Sequence, residues 1–164
     1  MSGLGRELPD VEREVLDRTT HLDLDQRAMA VVSNVFRAST AIRRHMEGHV
    51  LAESGLSWTA FVALWCLWIW GEMESRDLAA AVGITKPTAT GVVTTLERRG
   101  LAARRRSPDD GRMVRVALTR KGRAAIEGLY PRFNREESAL VAGLSSAEQE
   151  GLAAALRSLL RSFA

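Results

Sequence analysis

The stretch that decides the fold is Arg104-Arg105-Arg106-Ser107-Pro108-Asp109-Asp110-Gly111-Arg112. Its centre is rich in Pro, Asp and Gly, which are residues that form turns, and arginines stand at both ends. Short runs with the pattern of β-strands lie on either side, at 101–105 and 113–118. The sequence therefore predicts a basic β-hairpin.

A pair of helices is predicted directly before this hairpin. A short helix covers 76–82, and Gly83 makes the turn that follows it. Thr85 caps a second helix over about 85–99, with Pro87 in its first turn, where the missing N–H costs nothing. A helix able to enter a DNA groove, followed closely by a cationic hairpin, is the layout of a winged helix-turn-helix.

The basic charge is concentrated in the same part of the chain. Residues 85–123 hold 11 basic and 3 acidic side chains, a net charge of +8, although the whole chain carries only +3. Residues 1–84 have a net charge of −4 and residues 124–164 of −1. This clustering is typical of a phosphate-binding face, and an ordinary solvated face is the alternative.

A long amphipathic helix is predicted from Asp25 to Glu53. Apolar residues recur there at spacings of three and four and mark one face, which includes Met29, Val32, Phe36, Ile42, Met46 and Val50. This helix is long for a globular protein, and such a helix often buries its apolar face against a second chain.

The remaining elements follow from capping residues. Ser57 caps a helix that reaches about Trp70, Thr119 caps the next, and Ser145 with Glu148 forms a capping box at the start of the last. The predicted fold is therefore mainly α, an α+β winged helix-turn-helix with six or so helices and a two- to three-stranded wing.

The predicted organisation has four parts. Residues 1–22 form an N-terminal extension that could hold a short helix, and 23–55 form the long helix. The winged DNA-binding lobe covers 56–122, with the wing at about 101–118, and two C-terminal helices occupy 123–164.

Composition excludes several classes of protein. No run of eighteen apolar residues and no signal-peptide pattern is present, so we expect a cytoplasmic protein without a membrane partner. The single cysteine, Cys66, excludes an intramolecular disulfide and a multi-cysteine zinc site. No paired carboxylates, catalytic triad, P-loop or dinucleotide fingerprint is present, so we expect neither enzymatic activity nor a cofactor.

The predicted partner is double-stranded DNA. Lys86 can reach a phosphate or a guanine edge, whereas Pro87 and Ala89 can touch thymine methyls. Arg112, at the wing tip, is the candidate for insertion into the minor groove. The other predicted DNA-binding residues offer hydroxyls or guanidinium groups: Ser75, Thr85, Thr88, Thr90, Arg98, Arg104, Arg105 and Arg106.

From Leu56 to Arg123 the sequence resembles the multiple antibiotic resistance regulator (MarR) family of winged-helix repressors. The resemblance rests on Asp77-Leu78-Ala79, on Thr88 to Leu101, on Asp110-Gly111-Arg112 and on Leu118-Thr119-Arg120-Lys121-Gly122. It implies an obligate homodimer whose first and last helices interlock, a pseudo-palindromic operator and a small ligand that alters DNA binding. A non-specific DNA-binding protein without a ligand is the alternative.

Two departures from the family pattern affect these expectations. Many members carry Arg where Gly91 stands, so we expect a different base preference. The extension at 1–22 is longer than usual, as in urate-responsive members. Their pocket uses a Trp in the extension and an Arg at the position of Gly91, and this sequence has neither. Urate sensing is therefore not supported.

Three further features permit two interpretations each. The aromatic stripe of Trp58, Phe61, Trp65 and Trp68 fits core packing, and its last three members also fit a ligand pocket completed by Phe36, Arg43 and Met46. His45 and His49 have a spacing that permits metal binding, although no third ligand is evident and structural histidines are favoured. Cys66 lies within an apolar helix, which favours an unreactive thiol over a redox sensor.

Overall fold

The structure is a computed structural model that describes residues 8–106 and 114–163. The predicted hairpin tip, with Arg112, lies outside the described residues. In the described part of the chain, no helix is long and apolar enough to cross a membrane.

The chain divides into two compact units, which meet in sequence at Arg43 and Arg44. The first contains α1 (Leu8–Thr19) and most of α2 (Gln26–Met46). Asp25 begins α2, because its carboxylate accepts a hydrogen bond from the Ala28 amide at 3.0 Å. The Asn34 amide donates to the Glu12 carboxylate at 2.7 Å and joins the two helices.

The second unit holds the predicted winged helix-turn-helix and the C-terminal helices. Its elements, in chain order after a π-helical turn at Glu47–Leu51, are α3 (Trp58–Trp70), β1 (Met73–Glu74), α4 (Ser75–Val82), α5 (Lys86–Arg98), β2 (Ala102–Arg106), β3 (Val114–Leu118), α6 (Arg120–Leu140) and α7 (Ser146–Arg161). The predicted mainly α fold with a small sheet is confirmed.

Helix capping confirms the predicted start of four helices. The side chains of Ser57, Thr85, Thr119 and Ser145 each accept a hydrogen bond from the backbone amide three residues later, at 2.9–3.4 Å. Each bond satisfies one of the amides that a helix leaves unpaired at its N-terminus. The Ser145 cap is a complete capping box, because Glu148 accepts the Ser145 amide at 2.8 Å.

The long helix differs from its prediction at its C-terminal end. It is α-helical to Met46 and then widens into the π-helical turn. Met46 and Leu51 are both fully buried and five residues apart, which is the spacing that a π-helix places on one face. The carboxylate of Glu47 accepts the Trp58 amide at 3.1 Å, so this turn also helps to cap α3.

The sheet is antiparallel, with strand order β1-β3-β2. Val116 of β3 is fully buried and stands opposite Met73 of β1 and Arg104 of β2. The two predicted strands are confirmed. The location of β1 was not predicted, since a strand of two residues gives no alternating pattern.

The core surrounds α3. Leu64 and Leu67 of this helix are buried together with Leu78 of α4, Leu96 of α5 and Ile126 of α6. Burial of these side chains fixes the helix-turn-helix, the sheet and the first half of α6 as one packed body.

Gly122, in the first turn of α6, lies against the backbone that leaves α5. The Thr119 amide donates to the Leu101 carbonyl at 3.1 Å, and the Thr119 hydroxyl donates to the Gly100 carbonyl at 2.6 Å. A Cβ atom on Gly122 would lie 1.8 Å from the Leu101 carbonyl oxygen. Only glycine allows this approach, because the obstacle is backbone and not a movable side chain.

We therefore expect Gly122→Ala to lower the free energy of unfolding by about 1–3 kcal/mol, as overpacking does, measured by urea denaturation. Gly128→Ala, on the same helix, is the matched control. No atom lies within 4 Å of the added methyl there, so alanine should be neutral or stabilising. Equal unfolding midpoints for the two variants would contradict the close approach.

Candidate nucleic-acid interface

Helix α5 has an inner and an outer face. Ala89, Val93 and Leu96 recur at spacings of four and three and are buried in the core. The outer face exposes Thr85 to Thr88, Thr90 and Gly91 at the N-terminal end. This end therefore presents free backbone amides and the positive end of the helix dipole to solvent.

The prediction for Ala89 is wrong. Its side chain is 2% exposed and points to the core, so it cannot reach a thymine methyl. Pro87, two residues earlier, is exposed and keeps the predicted access.

The threonine hydroxyls of α5 make hydrogen bonds within the helix. Thr90 donates to the Lys86 carbonyl at 3.0 Å, and Thr94 donates to the Thr90 carbonyl at 2.8 Å. The hydroxyls of Thr85 and Thr88 are 2.9 Å apart, so one donates to the other and the second keeps its proton free to donate. The Thr90 hydroxyl, whose proton is donated to the Lys86 carbonyl, can accept a further hydrogen bond and therefore suits a base amino group better than a phosphate oxygen.

Arg104 of β2 joins the wing strand to α5. Its amide donates to Glu97 Oε1 at 2.8 Å, and its guanidinium contacts the other Glu97 oxygen. The guanidinium also donates to the Thr90 carbonyl at 3.1 Å and to the Thr94 hydroxyl at 3.2 Å. This side chain was predicted to follow phosphates, but its hydrogen bonds in the structure are directed to α5.

The other predicted arginines differ in their surroundings. Arg105 is exposed, and its strand position is opposite Arg115. Arg98 is exposed at the C-terminal end of α5, about 18 Å along the axis from Lys86 at 1.5 Å rise per residue. Ser75, half-buried, begins α4. The side chain of Arg106 is not among those described.

Arg99 makes structural contacts that the sequence did not predict. Its guanidinium donates to the carbonyls of Ser54 and Gly55, at 2.6 and 2.7 Å. Lys121 of α6 donates to the Arg99 carbonyl at 2.9 Å. The C-terminal end of α5 is therefore held both to the segment before α3 and to α6. No sequence pattern distinguishes Arg99 from its exposed neighbour Arg98.

The residues predicted to form a ligand pocket are divided between the two units. Phe61 and Met46 are buried in the core, and Phe61 stacks on Phe133 with ring centroids 4.2 Å apart. Trp68 is partly buried and donates from its indole N–H to Glu127 at 3.2 Å. Phe36 and Arg43 belong to the first unit, and Phe36 is 69% exposed. These contacts favour core packing for Phe61.

His45 and His49 lie against each other, and in the described residues they belong to no cluster of three possible metal ligands. Their rings stack at 4.1 Å, His49 bonds the His45 carbonyl, and His45 Nε2 bonds Glu136 at 2.9 Å. In residues 8–106 and 114–163, no three His, Cys, Asp or Glu side chains are placed to hold a metal. The hydrogen bond with His45 lowers the pKa of the Glu136 carboxyl in the folded state. This interaction therefore stabilises the fold at pH values above the ordinary carboxyl pKa, and the stabilisation is lost as the pH falls through the lowered pKa.

Cys66 is buried in α3, and burial raises the pKa of its thiol. A higher pKa lowers the thiolate fraction, which agrees with the predicted unreactive cysteine.

Comparisons with known proteins agree on one family. The model of the MarR family matches residues 56–114. The HTH-type transcriptional regulator YwaE of Bacillus subtilis, itself uncharacterized, is 40% identical over 82% of this chain and 78% of its own length. The structure of Bordetella bronchiseptica BpsR, whose DNA binding is regulated by 6-hydroxynicotinic acid, is 29% identical over 79% of this chain and 91% of that one, with a TM-score of 0.72. The structure of the S. aureus MepR–DNA complex is 26% identical over 81% of this chain and 98% of that one, with a TM-score of 0.72.

The contacts of Arg99 give a testable difference between two adjacent arginines. We expect Arg99→Met to lower the free energy of unfolding by about 1–3 kcal/mol, because it removes charged donors from two carbonyls. Arg98→Met removes the same charge from an exposed position and should change it by less than about 0.5 kcal/mol. Urea denaturation measures both, and hydrogen exchange should show faster exchange at 52–56 in Arg99→Met alone. An equal effect of the two substitutions would contradict a stabilising role for the hydrogen bonds from Arg99 to the carbonyls of Ser54 and Gly55.

Proposed function

The chain belongs to the MarR family of transcriptional regulators, and on this premise we propose that it is a dimeric repressor released from a pseudo-palindromic operator by a small ligand. Its relatives are regulators and not enzymes, in agreement with the prediction. The observation that carries the proposal is the exposed N-terminal face of α5, which lies in the strongly basic part of the chain.

In the proposed complex, α5 enters the major groove by its N-terminal end. Lys86 contacts a phosphate or a guanine, and Thr88 and Thr90 accept hydrogen bonds from base amino groups. The exposed Arg105 contacts a phosphate beside the groove, and Arg112 enters the minor groove. Arg104 acts indirectly, because it fixes the wing strand on α5.

Unpartnered apolar surface supports the dimer. Within α7, whose side chains are all described, none is buried, although Leu152, Leu156 and Leu160 repeat every four residues. Beyond this helix Phe163 is 79% exposed, and α2 exposes Val31, Val32, Phe36 and Ile42. Apolar stripes of this length gain stability by burial against another helix. We therefore propose that 23–55 and 123–164 form the dimerisation lobe and that 56–122 binds DNA.

The ligand part of the proposal is supported by BpsR, for which 6-hydroxynicotinic acid regulates DNA binding. A ligand that binds more tightly to a dimer whose two α5 helices are out of position for the DNA grooves would shift the population away from DNA. A small aromatic acid is the proposed effector class.

Competition binding tests the function. The full-length protein is titrated onto labelled DNA from beside its own gene, with unlabelled unrelated DNA as competitor. A sequence-specific regulator should prefer its site by about 10³-fold or more. Equal competition by both DNAs would support the alternative, a non-specific DNA-binding protein without a ligand.

Arg105 and Arg104 form a matched pair on one strand. We expect Arg105→Gln to leave the free energy of unfolding unchanged and to reduce the log–log salt slope of DNA binding by about one for each bound copy. Arg104→Gln should instead lower the free energy of unfolding, since it leaves Glu97 without its ion-pair partner. Fluorescence anisotropy from low to high salt and urea denaturation measure the two quantities. An unchanged salt slope in Arg105→Gln would remove this residue from the interface.

The dimer proposal gives a prediction for α7. Leu156→Asp places a charge in the apolar stripe and should shift the protein towards monomer at micromolar concentration, measured by sedimentation velocity. Ser158→Asp adds the same charge on the opposite side of the helix and should remain dimeric. A wild-type monomer, or dimers in both variants, would contradict the proposed interface.

A further inference from the structure

Two arginines stand opposite each other on the outer face of the wing. Arg105 of β2 is in register with Arg115 of β3, and the Cβ atoms of directly opposite residues are about 4.5–5.5 Å apart. Successive side chains of a strand alternate between its two faces, and Arg104 is directed to α5, so this pair lies on the face away from α5. Like charges at such positions destabilise a strand pair. In the free protein this arrangement therefore costs stability.

The guanidinium of Arg115 is poorly satisfied within the fold. Its Nη1 atom is 3.5 Å from Glu72 Oε1, which is long for a hydrogen bond. Its Nε atom is buried without a partner among the described residues, so it is not available to a ligand. Nη2 neither donates to a described residue nor belongs to the buried unpartnered atoms, and 34% of the side chain is exposed. The Nη2 end of Arg115 is therefore accessible beside the exposed Arg105.

The carboxylates on this face compensate the two arginines only weakly. Glu74 of β1 stands next to Arg115 in the sheet, but its Oε2 atom is 2.8 Å from Arg76 Nε and is paired there. Glu72 remains, and its contact with Arg115 joins two side chains that are each more than a third exposed. An exposed pair at this distance contributes little to stability, so a better acceptor can displace Glu72.

We propose that Arg105 and Arg115 together bind one phosphate of the DNA backbone, and that this phosphate replaces Glu72 beside Arg115. The site rests on the proposed function, which gives a phosphate to Arg105 alone. One phosphate has enough acceptor oxygens for two guanidinium groups, and its charge turns their mutual repulsion into a shared attraction.

The position of the pair in the wing indicates which phosphate is bound. Arg105 and Arg115 are one register position before Arg106 and Val114, the last described pair ahead of the predicted hairpin tip. Arg112 of that tip is proposed to enter the minor groove. The shared phosphate is therefore one that borders the minor groove, on the side of the wing away from α5.

Ethylation interference on the operator tests the shared phosphate directly, because ethylation removes the charge of one phosphate at a time. With the full-length protein, ethylation of one phosphate beside the minor groove of each half-site should weaken binding. This signal should be absent with Arg105→Gln and with Arg115→Gln. It should persist with Arg123→Gln, which removes an exposed arginine of α6 that lies 3.6 Å from Glu127. Persistence of the signal with Arg115→Gln, or loss of a different phosphate in each variant, would overturn the site.

Affinity measurements give a second test of sharing. Arg115→Gln should weaken operator binding about tenfold for each bound copy, measured by fluorescence anisotropy, as expected for a charged hydrogen bond. The double variant with Arg105→Gln should bind little more weakly than the weaker single variant, because all three lose the same phosphate. Losses that multiply in the double variant would mean two separate phosphates and would contradict the proposal.

Glu72→Gln tests the exchange of the carboxylate for the phosphate. It frees Arg115 and should strengthen operator binding about two- to fivefold, the range expected for breaking an exposed ion pair. This gain should disappear when Arg115→Gln is also present. An equal gain in both backgrounds would mean that Glu72 repels DNA at long range, and the exchange would be wrong.

Two controls separate this site from the fold and from the proposed function. Without DNA, Arg115→Gln should unfold at no lower urea concentration than the wild type, because it also removes the like charge opposite Arg105. Operator preference in the wild type with unchanged binding by Arg115→Gln would overturn this site alone. Binding that depends on Arg115 but has no operator preference would overturn the regulator and keep the phosphate site. A wild type that binds no DNA would overturn both.

Discussion

The position of α5 depends on how its C-terminal end is held. The carbonyls of Arg99, Gly100 and Leu101 accept hydrogen bonds from Thr119 and Lys121 at the start of α6, and the Leu96 carbonyl accepts the Leu101 amide. Carbonyls at a helix C-terminus lack partners within the helix, so these bonds satisfy them, and those from Thr119 and Lys121 also join α5 to α6. The junction is possible because Gly122 has no side chain where the two backbones meet.

Arginines extend this junction to the rest of the DNA-binding lobe. Arg99 binds the segment before α3, and Arg104 binds the outer part of α5 from the wing strand. In the proposed dimerisation lobe, Arg132 of α6 makes a similar contact, since it donates to the His49 carbonyl in the π-helical turn and contacts Glu53. The positive charges of the DNA-binding lobe therefore have two roles. Some of these side chains donate hydrogen bonds to backbone carbonyls and hold the helices and strands in place. Others, such as Arg105, are exposed and available to phosphates.

The sequence was sufficient for the features that local chemistry determines. The caps at Ser57, Thr85, Thr119 and Ser145 each depend on residues within one helical turn, so their pattern is visible in the chain. The destinations of Arg99 and Arg104 depend on contacts across the fold, 44 and 7 residues away for their respective partners Gly55 and Glu97, and charge counting cannot distinguish them from exposed arginines. The burial of Ala89 follows from its helical spacing with Val93, but only once the inner face of α5 is known.

We propose that two copies of this lobe present the N-terminal ends of α5 to DNA, and footprinting of the full-length protein on the DNA beside its own gene tests this arrangement. Two protected half-sites of related, inverted sequence should lie about one helical turn apart, on one side of the duplex. A single protected half-site, or protection that spreads without sequence preference as protein is added, would rule out the proposed dimer on DNA.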